Sequence, residues 1–375
     1  MKFEIKTKEV KEYIRKMSSL VPNFSALPHE SGVLITVEDT KVVFKSRNEF
    51  VSLKLETNDL NIIKIIETGS VLVKGKMINE ILSKMNGENV VFTKIDDNIL
   101  FIKSDDSDYE INLLNEDNYE NYDINFSVEE GQELIFDASK FKESLQKVIP
   151  AVPEKHQRKI LQGINVKGND GIIFFTTTDG TRIHRVKIET QTHLEVDKTM
   201  NIKSVKEIMK VLSDNKETKF KVGSEYLVIE DKELIIKTRL IDGVFPEVSK
   251  PFAIDYNIEL EISKELMIDL LERTTILSSN TAEGIVKMII NDGELRFESR
   301  EIEIGYSNVK TNNFKFNYPN RFEISFSPKF MFDAIKAVNN EMLKIDFSQS
   351  TNPIKIWSKE AIDFEAIVLP YKTGN

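Results

Sequence analysis

KTMNIKSVKEIMKVLSDNKETKFKVGSEYLVIEDKELIIKTRLI, running from Lys198 to Ile241, is the stretch that decides the fold. It opens as an alternating strand and turns into an amphipathic helix. It then closes as a long strand-turn-strand. The same order occurs upstream in SVLVKGKMINEILSKMNGENVVFTKIDDNILFIKSDDSDYEINLL, Ser70 to Leu114. It occurs again downstream in FEISFSPKFMFDAIKAVNNEMLKIDFSQSTNPIKIWSKEAIDFEAIVL, Phe322 to Leu369. The copies start about 125 residues apart in a chain of 375, and what recurs is the order and period of elements. A repeat this long predicts three similar domains in a row, 1–125, 126–250 and 251–375, and excludes a short-repeat solenoid.

Each third is large enough for its own core. Apolar residues make up 40% and charged residues 30%, the balance of a soluble globular protein. No apolar run approaches the length of a membrane span. The opening MKFEIKTKEV alternates like a strand and lacks the apolar core of a signal peptide, so a cytoplasmic protein with no membrane partner is expected. The absence of cysteine excludes disulfides, thiolate metal sites and a cysteine nucleophile. A net charge of −10 argues at first sight against nucleic acid.

The distribution of that charge says otherwise. VLITVEDTKVVFKS (Val33 to Ser46), IIFFTTTDGTRIHRVKI (Ile172 to Ile188) and VKMIINDGELRFES (Val286 to Ser299) read as β-hairpins. Between such strands lie six helix candidates: Lys8–Leu20, Lys74–Met85, Ser139–Val148, Lys203–Leu212, Ser263–Ile276 and Ser327–Asn339. Their near-uniform spacing suggests that each third is itself two βαβββ halves. Ser139, Ser204, Ser263 and Ser327 are the expected N-caps, with Pro328 in the first helical position. Apolar stripes such as Val10, Ile14 and Met17, or Met77, Ile81 and Met85, mark faces packed on sheets. The opposite faces are basic: Lys8, Arg15 and Lys16; Lys76 and Lys84; Lys140 and Lys147; Lys203, Lys206 and Lys210; Lys329 and Lys336. The fifth helix is the exception, with Glu265, Asp269 and Glu272. The six spans sum to about +8, so the remainder carries about −18. Lysines also decorate ordinary solvated helices. Their recurrence on five of six helices in an acidic chain favours a polyanion met along one surface, and duplex DNA would be bound through phosphates without sequence reading.

The chain also resembles a known family, the β sliding clamps, processivity subunits of bacterial DNA polymerase III. The likeness rests on the opening MKFEI, on RKILQGI (Arg158 to Ile164), TTDGTRIHRV (Thr177 to Val186), LIDGVFPEV (Leu240 to Val248) and IVLPYK (Ile367 to Lys372), in that order over the whole chain. The resemblance implies an α+β protein of three similar clamp domains, with antiparallel sheets outside and two helices per domain lining a ring. It implies a head-to-tail homodimer that encircles double-stranded DNA. No catalysis and no cofactor or metal are implied. Implied partners are the DNA polymerase III catalytic subunit, the clamp loader, repair polymerases and other proteins, each bound through a short linear peptide.

By motif, the family's peptide pocket maps to Leu161, Thr178, Gly180, Arg182, Ile183, Pro246, Val368, Leu369, Pro370 and Tyr371. The apolar members would make a groove for apolar anchors, and Arg182 would hold a peptide carbonyl or carboxylate. Read as residues only, Thr178-Asp179-Gly180 is equally a hairpin turn and Pro370 a strand end. The sequence departs from the family at Thr181, where a histidine often stands, and in the tail Thr373-Gly374-Asn375. The dimer seam maps to Tyr109, Ile276 and Leu277. Families of this kind set basic residues of the first domain against acidic ones of the third. Here SDDSDYE (Ser104 to Glu110) and ESREIEIG (Glu298 to Gly305) are both acidic, so repulsion is expected if both reach the seam. Either edge pairing with apolar contacts, or a lysine such as Lys103, would then hold it.

An enzyme is the rival class. His29, His156, His184 and His193 form no metal-ligand spacing, and no nucleotide-loop or nucleophile-elbow motif is present. Asp179 with His184 could be called an acid/base pair, but a hairpin turn plus a strand residue is the favoured reading of the two. A β-rich scaffold that binds only proteins is the other rival, and it leaves the basic helix faces unused.

Overall fold

The computed structural model describes residues 1–116, 119, 125–127, 131–190, 194–278, 284–301, 303–358 and 363–371. His193 and the tail Thr373 to Asn375 lie outside them. Among the described residues six α-helices have ten or more residues: α1 (Thr7–Leu20), α2 (Gly75–Lys84), α3 (Ala138–Val148), α4 (Ile202–Val211), α5 (Lys264–Thr275) and α6 (Pro328–Ala337).

Each helix follows a strand with at most one residue between them. The strands are Lys2–Lys6, Gly69–Lys74, Gly131–Phe136, Val196–Asn201, Ile258–Ser263 and Phe322–Phe326. Three further strands follow every helix, so the βαβββ half is repeated six times, with Ile63–Glu67 and Lys315–Phe316 as additions. The switch from period 2 to period 3.6 at each junction is what the sequence pattern encodes.

Two of the four expected caps hold. Ser263 accepts from Leu266 N and Ser327 from Phe330 N. The other two helices start earlier than expected. Asp137 Oδ1 accepts from Ser139 N at 2.8 Å, so a carboxylate at the preceding position takes the cap. Ser204 lies inside α4, buried, and its hydroxyl turns to Phe50 O at 3.4 Å. The stripe of α2 is also rotated by one residue: Ile78 and Leu82 are buried, whereas Met77 and Ile81 are only half-buried. On α1 the stripe is as read, with Val10, Ile14 and Met17 fully buried, each contributing about 1.5–3 kcal/mol.

The leading strand of every half is exchanged. Lys2–Lys6 pairs with Asn89–Lys94, and Gly69–Lys74 with Gly32–Val37. Gly131–Phe136 pairs with Thr218–Gly223, and Val196–Asn201 with Gly163–Asn169. Ile258–Ser263 pairs with Met342–Phe347, and Phe322–Phe326 with Val286–Asn291. Two successive halves are therefore tied into one domain by two antiparallel ladders.

The chain divides into two compact units, Met1–Ser139 with Lys203–Leu240, and Lys140–Ile202 with Ile241–Asn375. In the first, Val51–Thr57 pairs with Leu234–Ile241 and joins two four-stranded groups into one continuous sheet. A second sheet ends in Asp108–Asn112. In the second unit, Arg182–Glu189 pairs with Asp363–Val368 in the same way. Its other sheet ends in Gly305–Thr311. Among the described residues both of these terminal strands have one unpaired edge. Asp170-Gly171 and Asp292-Gly293 turn equivalent hairpins with φ of 49° and 76°, and 51° and 76°, which explains the glycine at each second position.

Candidate functional site

The TDGTR segment of the second unit builds one wall of a cavity. Thr178 Oγ1 accepts from Gly180 N at 3.0 Å and donates to Arg182 O at 2.6 Å. Asp179 Oδ1 accepts from Thr181 N and Arg182 N at 2.9 and 3.1 Å, and Gly180 takes φ 92°. The turn is thus fixed by its own side chains. Beside it, Ile160, Leu161 and Phe245 pack together with Val248 against them. Leu369 N donates to Thr181 O at 2.9 Å and draws the end of the last strand onto the turn.

The result is a cavity of about 210 Å³. Leu161, Thr178, Gly180, Arg182, Ile183, Pro246 and Leu369, all read from sequence, line it. Val368, Pro370 and Tyr371 are not in its lining. Val368 is fully buried and paired with Arg182 and Ile354, whereas Ile367 and Leu369, one place to either side, reach the cavity. Strand alternation could have made that choice. Tyr371 N instead donates to Ser325 O at 2.8 Å. Arg158, Thr181, Glu247, Val248 and Pro251 also line the cavity. All but Pro251 fall within the sequence segments that drew attention.

Arg182 plays a different part from the one expected. Nε donates to Asp179 at 2.9 Å, Nη1 to Asp333 at 2.5 Å and Nη2 to Pro150 O at 2.6 Å. Its guanidinium also lies 4.2 Å from the Phe330 ring centroid. The group ties the turn to α6 and to the residues after α3. It shapes the cavity wall; each of its three nitrogens already serves the fold.

His184 is fully buried, and Nδ1–H donates to Lys147 O at 3.0 Å. Asp179 is engaged in the turn, so the two do not form an acid/base pair. Burial pushes the His184 pKa down to about 4, with the backbone hydrogen bond opposing. In the unfolded chain it returns to about 6.5. Below pH 6.5 the unfolded state therefore binds the extra proton. Stability is fully present above 6.5 and is lost as pH falls toward 4, by about 3 kcal/mol. Melting temperature measured from pH 7 to 4 should show this slope, and His184→Leu should flatten it; equal slopes would refute the assignment.

The helix lysines can be placed one unit at a time. In the first unit Lys8, Arg15, Lys84, Lys203, Lys206 and Lys210 are exposed, and Lys16 and Lys76 are partly so. Lys16 lies 3.1 Å from Glu12, and Lys210 lies 3.0 Å from Glu207. In the second unit Lys140, Lys329 and Lys336 are exposed. Lys147 is not: it is 4% exposed with Nζ 3.5 Å from Glu143, which removes it from any open face. Its position one turn past Glu143, beside the buried Ser144, carried that signal.

At the terminal strands, Tyr109 stands on Asp108–Asn112 and is partly exposed. Ile276 (66% exposed) and Leu277 follow α5, and Leu277 lies beside the start of Gly305–Thr311. The acidic stretch ESREIEIG does not form the edge. Glu298 and Glu301 lie on the neighbouring strand Glu294–Glu301, and Glu298 is 3.7 Å from Arg296. The edge strand reads GYSNVKT, without an acid and with Lys310 exposed.

Among the described residues no group of three or more His, Asp or Glu is placed to hold a metal ion, and no helix is long and apolar enough to cross a membrane.

Comparison with known proteins adds three family matches. The DNA polymerase III beta subunit N-terminal domain matches residues 1–123, its central domain 136–247 and its C-terminal domain 250–372. The beta sliding clamp of Mycoplasma capricolum is 26% identical over 378 residues, covering all of both chains. That of Bacillus subtilis is 24% identical over 385 residues, also covering both fully. Among solved structures, the DNA polymerase sliding clamp from Bacillus subtilis aligns with a TM-score of 0.89 at 22% identity over all of both chains. The DNA polymerase III beta chain from Streptococcus pneumoniae aligns with a TM-score of 0.90 at 20% identity, over 99% of this chain and 100% of that one.

Proposed function

The chain belongs to the DNA polymerase III beta subunit family, the sliding clamps, and from that membership we propose that two copies close head-to-tail into a ring around duplex DNA. The fold is the three-domain clamp fold. The ring tethers the replicative polymerase topologically. Its DNA contacts can stay weak and sequence-independent, which sliding requires. The three domains correspond to the thirds 1–125, 126–250 and 251–375, and the chain has no chemistry of its own. The apolar cavity of the second unit takes the linear peptides of polymerase, loader and repair proteins, with leucine, isoleucine and proline walls for apolar anchors.

The observation that carries the ring is the register of the strand junctions. Each ladder can be followed from the residue four places before a helix. Val71, Ile35, Phe44 and Leu55 face one another in turn. So do Lys198, Val166, Phe175 and Val186, and likewise Ile324, Met288, Phe297 and Val309. The other set of halves gives Leu134, Phe220, Ile229 and Ile236; Leu260, Ile345, Ile356 and Ala366; and Phe3, Phe92, Ile102 and Tyr109. In the first unit Leu53 faces Ile236, and in the second His184 faces Ala366. Those are equivalent places. The third instance of the same junction would set Ser307 of one chain opposite Tyr109 of the next.

The unpaired edges of Asp108–Asn112 and Gly305–Thr311 are then two halves of one sheet. Each chain carries one of each, so pairing is head-to-tail, and closure covers both of these edges. The same register puts Lys310 opposite Asp106. Ser104 and Ser107 donate to Asp106 and hold its carboxyl below the usual range, so it stays charged. The acidic first-domain turn would then share Lys310 with Glu294, whose carboxylate lies 2.8 Å from Lys310 Nζ within the same chain.

The test of the DNA side is Lys206→Glu with Lys210→Glu. Wild-type protein should be retained on circular duplex at salt that strips it from linear duplex. The double variant should stay dimeric and lose at least about tenfold in retention. Unchanged retention would sink the helix-face reading and leave a protein-only scaffold.

A further inference from the structure

One wall of the second unit's cavity is built from neither strand nor α-helix. It comes from GVFPEVSKPFAIDY, Gly243 to Tyr256, in which Pro246 and Pro251 remove two donors and so bar a sheet ladder. The segment holds one short turn, Lys250–Ala253, and turns Pro246, Glu247, Val248 and Pro251 to the cavity. Among the described residues its hydrogen bonds stay within itself. Ser249 N donates to Glu247 at 2.8 Å, Phe252 N to Ser249 O at 3.0 Å and Tyr256 OH to Pro251 O at 2.8 Å. Side chains alone therefore fasten this strap to the unit.

At the near end Phe245 and Val248 pack on Ile160 and Leu161. At the far end Phe252 meets Arg185. Arg185 and Glu365 face each other two places along the ladder from Ile183 and Ile367, so all four side chains share one face of the sheet. Arg185 Nε and Nη2 donate to Glu365 at 3.1 and 2.5 Å, which fixes the guanidinium plane. Its central carbon lies 3.5 Å from the Phe252 ring centroid and 5.2 Å from that of Phe174. The one ion pair from strap to sheet, Glu247 with Lys167 at 3.8 Å, is half-exposed and adds little. A cation over a phenyl ring shifts an equilibrium by roughly twofold to thirtyfold, so the Arg185–Phe252 stack is the stronger of the two polar fastenings.

We propose that Arg185 sets the width of the groove by holding the strap through Phe252, and so decides the size of apolar anchor that a partner peptide inserts. This deepens, and rests on, the reading of the cavity as a peptide groove. At about 210 Å³ the cavity is smaller than the roughly 300 Å³ at which ligand pockets begin, so a peptide must widen it. The ladder fixes Ile183 and Ile367, and the Thr178 and Asp179 hydrogen bonds fix the turn, which leaves the strap as the wall that yields. With the stack intact the strap stays close and favours an anchor the size of leucine. With the stack broken it moves out, and an aromatic anchor gains. Neither Arg185 nor Phe252 lines the cavity, so Arg185 is a positioning residue and not a peptide contact.

The test uses the full-length protein and two fluorescein-labelled peptides, Ser-Leu-Ser-Leu-Gly and the same peptide with Trp in the fourth place, read by anisotropy. The quantity followed is the ratio of their affinities, which a merely structural loss leaves unchanged. Arg185→Gln should move the ratio toward the Trp peptide by at least about threefold. Glu365 keeps Lys355 at 2.9 Å in that variant, so no carboxylate is left without a cation. Phe252→Ala removes the stack from the strap side and should shift the ratio the same way, the two together moving it less than the product of the single shifts. Arg185→Lys keeps the charge and loses the planar fork, so it should resemble Arg185→Gln. Lys167→Gln should leave the ratio alone. An unchanged ratio in Arg185→Gln and Phe252→Ala, equal weakening of both peptides, or full rescue by Arg185→Lys overturns the role of Arg185. Peptides that fail to bind the wild-type protein, or bind Leu369→Asp as well as wild type, refute the groove reading itself and the width proposal with it.

Discussion

A chain carrying Glu110→Cys and Tyr306→Cys should close into a covalent dimer on mild oxidation. Non-reducing electrophoresis should show one band at about twice 43.1 kDa, with no ladder above it. Counting along the proposed junction, which would set Tyr109 opposite Ser307 by analogy with the two junctions within the chain, puts residue 110 opposite 306, and both side chains are exposed. Cα atoms facing across an antiparallel ladder lie about 4.5 or 5.5 Å apart, within disulfide range. The native chain has no cysteine, so the engineered pair is the only thiol chemistry present. The control is Glu110→Cys with Asn308→Cys, two places out of register on the same face, which should link at least about tenfold more slowly because that span exceeds disulfide reach. A monomer in sedimentation would refute the ring. A dimer that links only through the control pair would keep the ring and refute the register. A ladder of higher species would mean a head-to-tail contact that does not close.

The threefold repeat, the six helices and the basic faces could be read from sequence because each is a periodic signal that packing preserves. Val10, Ile14 and Met17 must share a face if α1 is to bury them, and no tertiary context alters that spacing. Boundaries were less legible. α3 begins early because Asp137 outcompetes Ser139 as a cap, and α4 begins early because Ser204 is drawn to Phe50, far off in sequence. Strand exchange was invisible: nothing in Lys2–Lys6 names Asn89–Lys94 as its partner. Taken as one segment, ESREIEIG predicts an acidic seam, whereas the fold splits it at a turn and places GYSNVKT on the sheet edge. In the groove, segments were readable and individual side chains less so. Val368, implied by the resemblance, is not in the cavity lining, whereas Ile367, one place before it, is, and one place along a strand reverses its face. Lys147 looked like any helix lysine, and its burial depends on neighbours the sequence does not order.

Arg182→Ala should cost about 3–5 kcal/mol of stability, more than any loss of ligand contact would explain. The side chain is 6% exposed and meets two carboxylates and one carbonyl. Removing it leaves Asp179 and Asp333 beside each other without their shared cation, and leaves Pro150 O without its donor. Arg182→Lys should rescue little, because one ammonium cannot reach three acceptors set in a planar fork. Two measurements separate this from a role in gripping peptide. Urea unfolding of the free protein should shift strongly in Arg182→Ala. Asp333→Asn, which touches the same network from α6 and does not line the cavity, should lower stability in the same direction. In a double-mutant cycle Arg182→Ala and Asp333→Asn should couple, the pair costing less than the sum of the two. If Arg182→Ala instead left unfolding unchanged and only weakened peptide binding, the guanidinium would be a ligand donor after all, and the internal network would contribute nothing the fold needs.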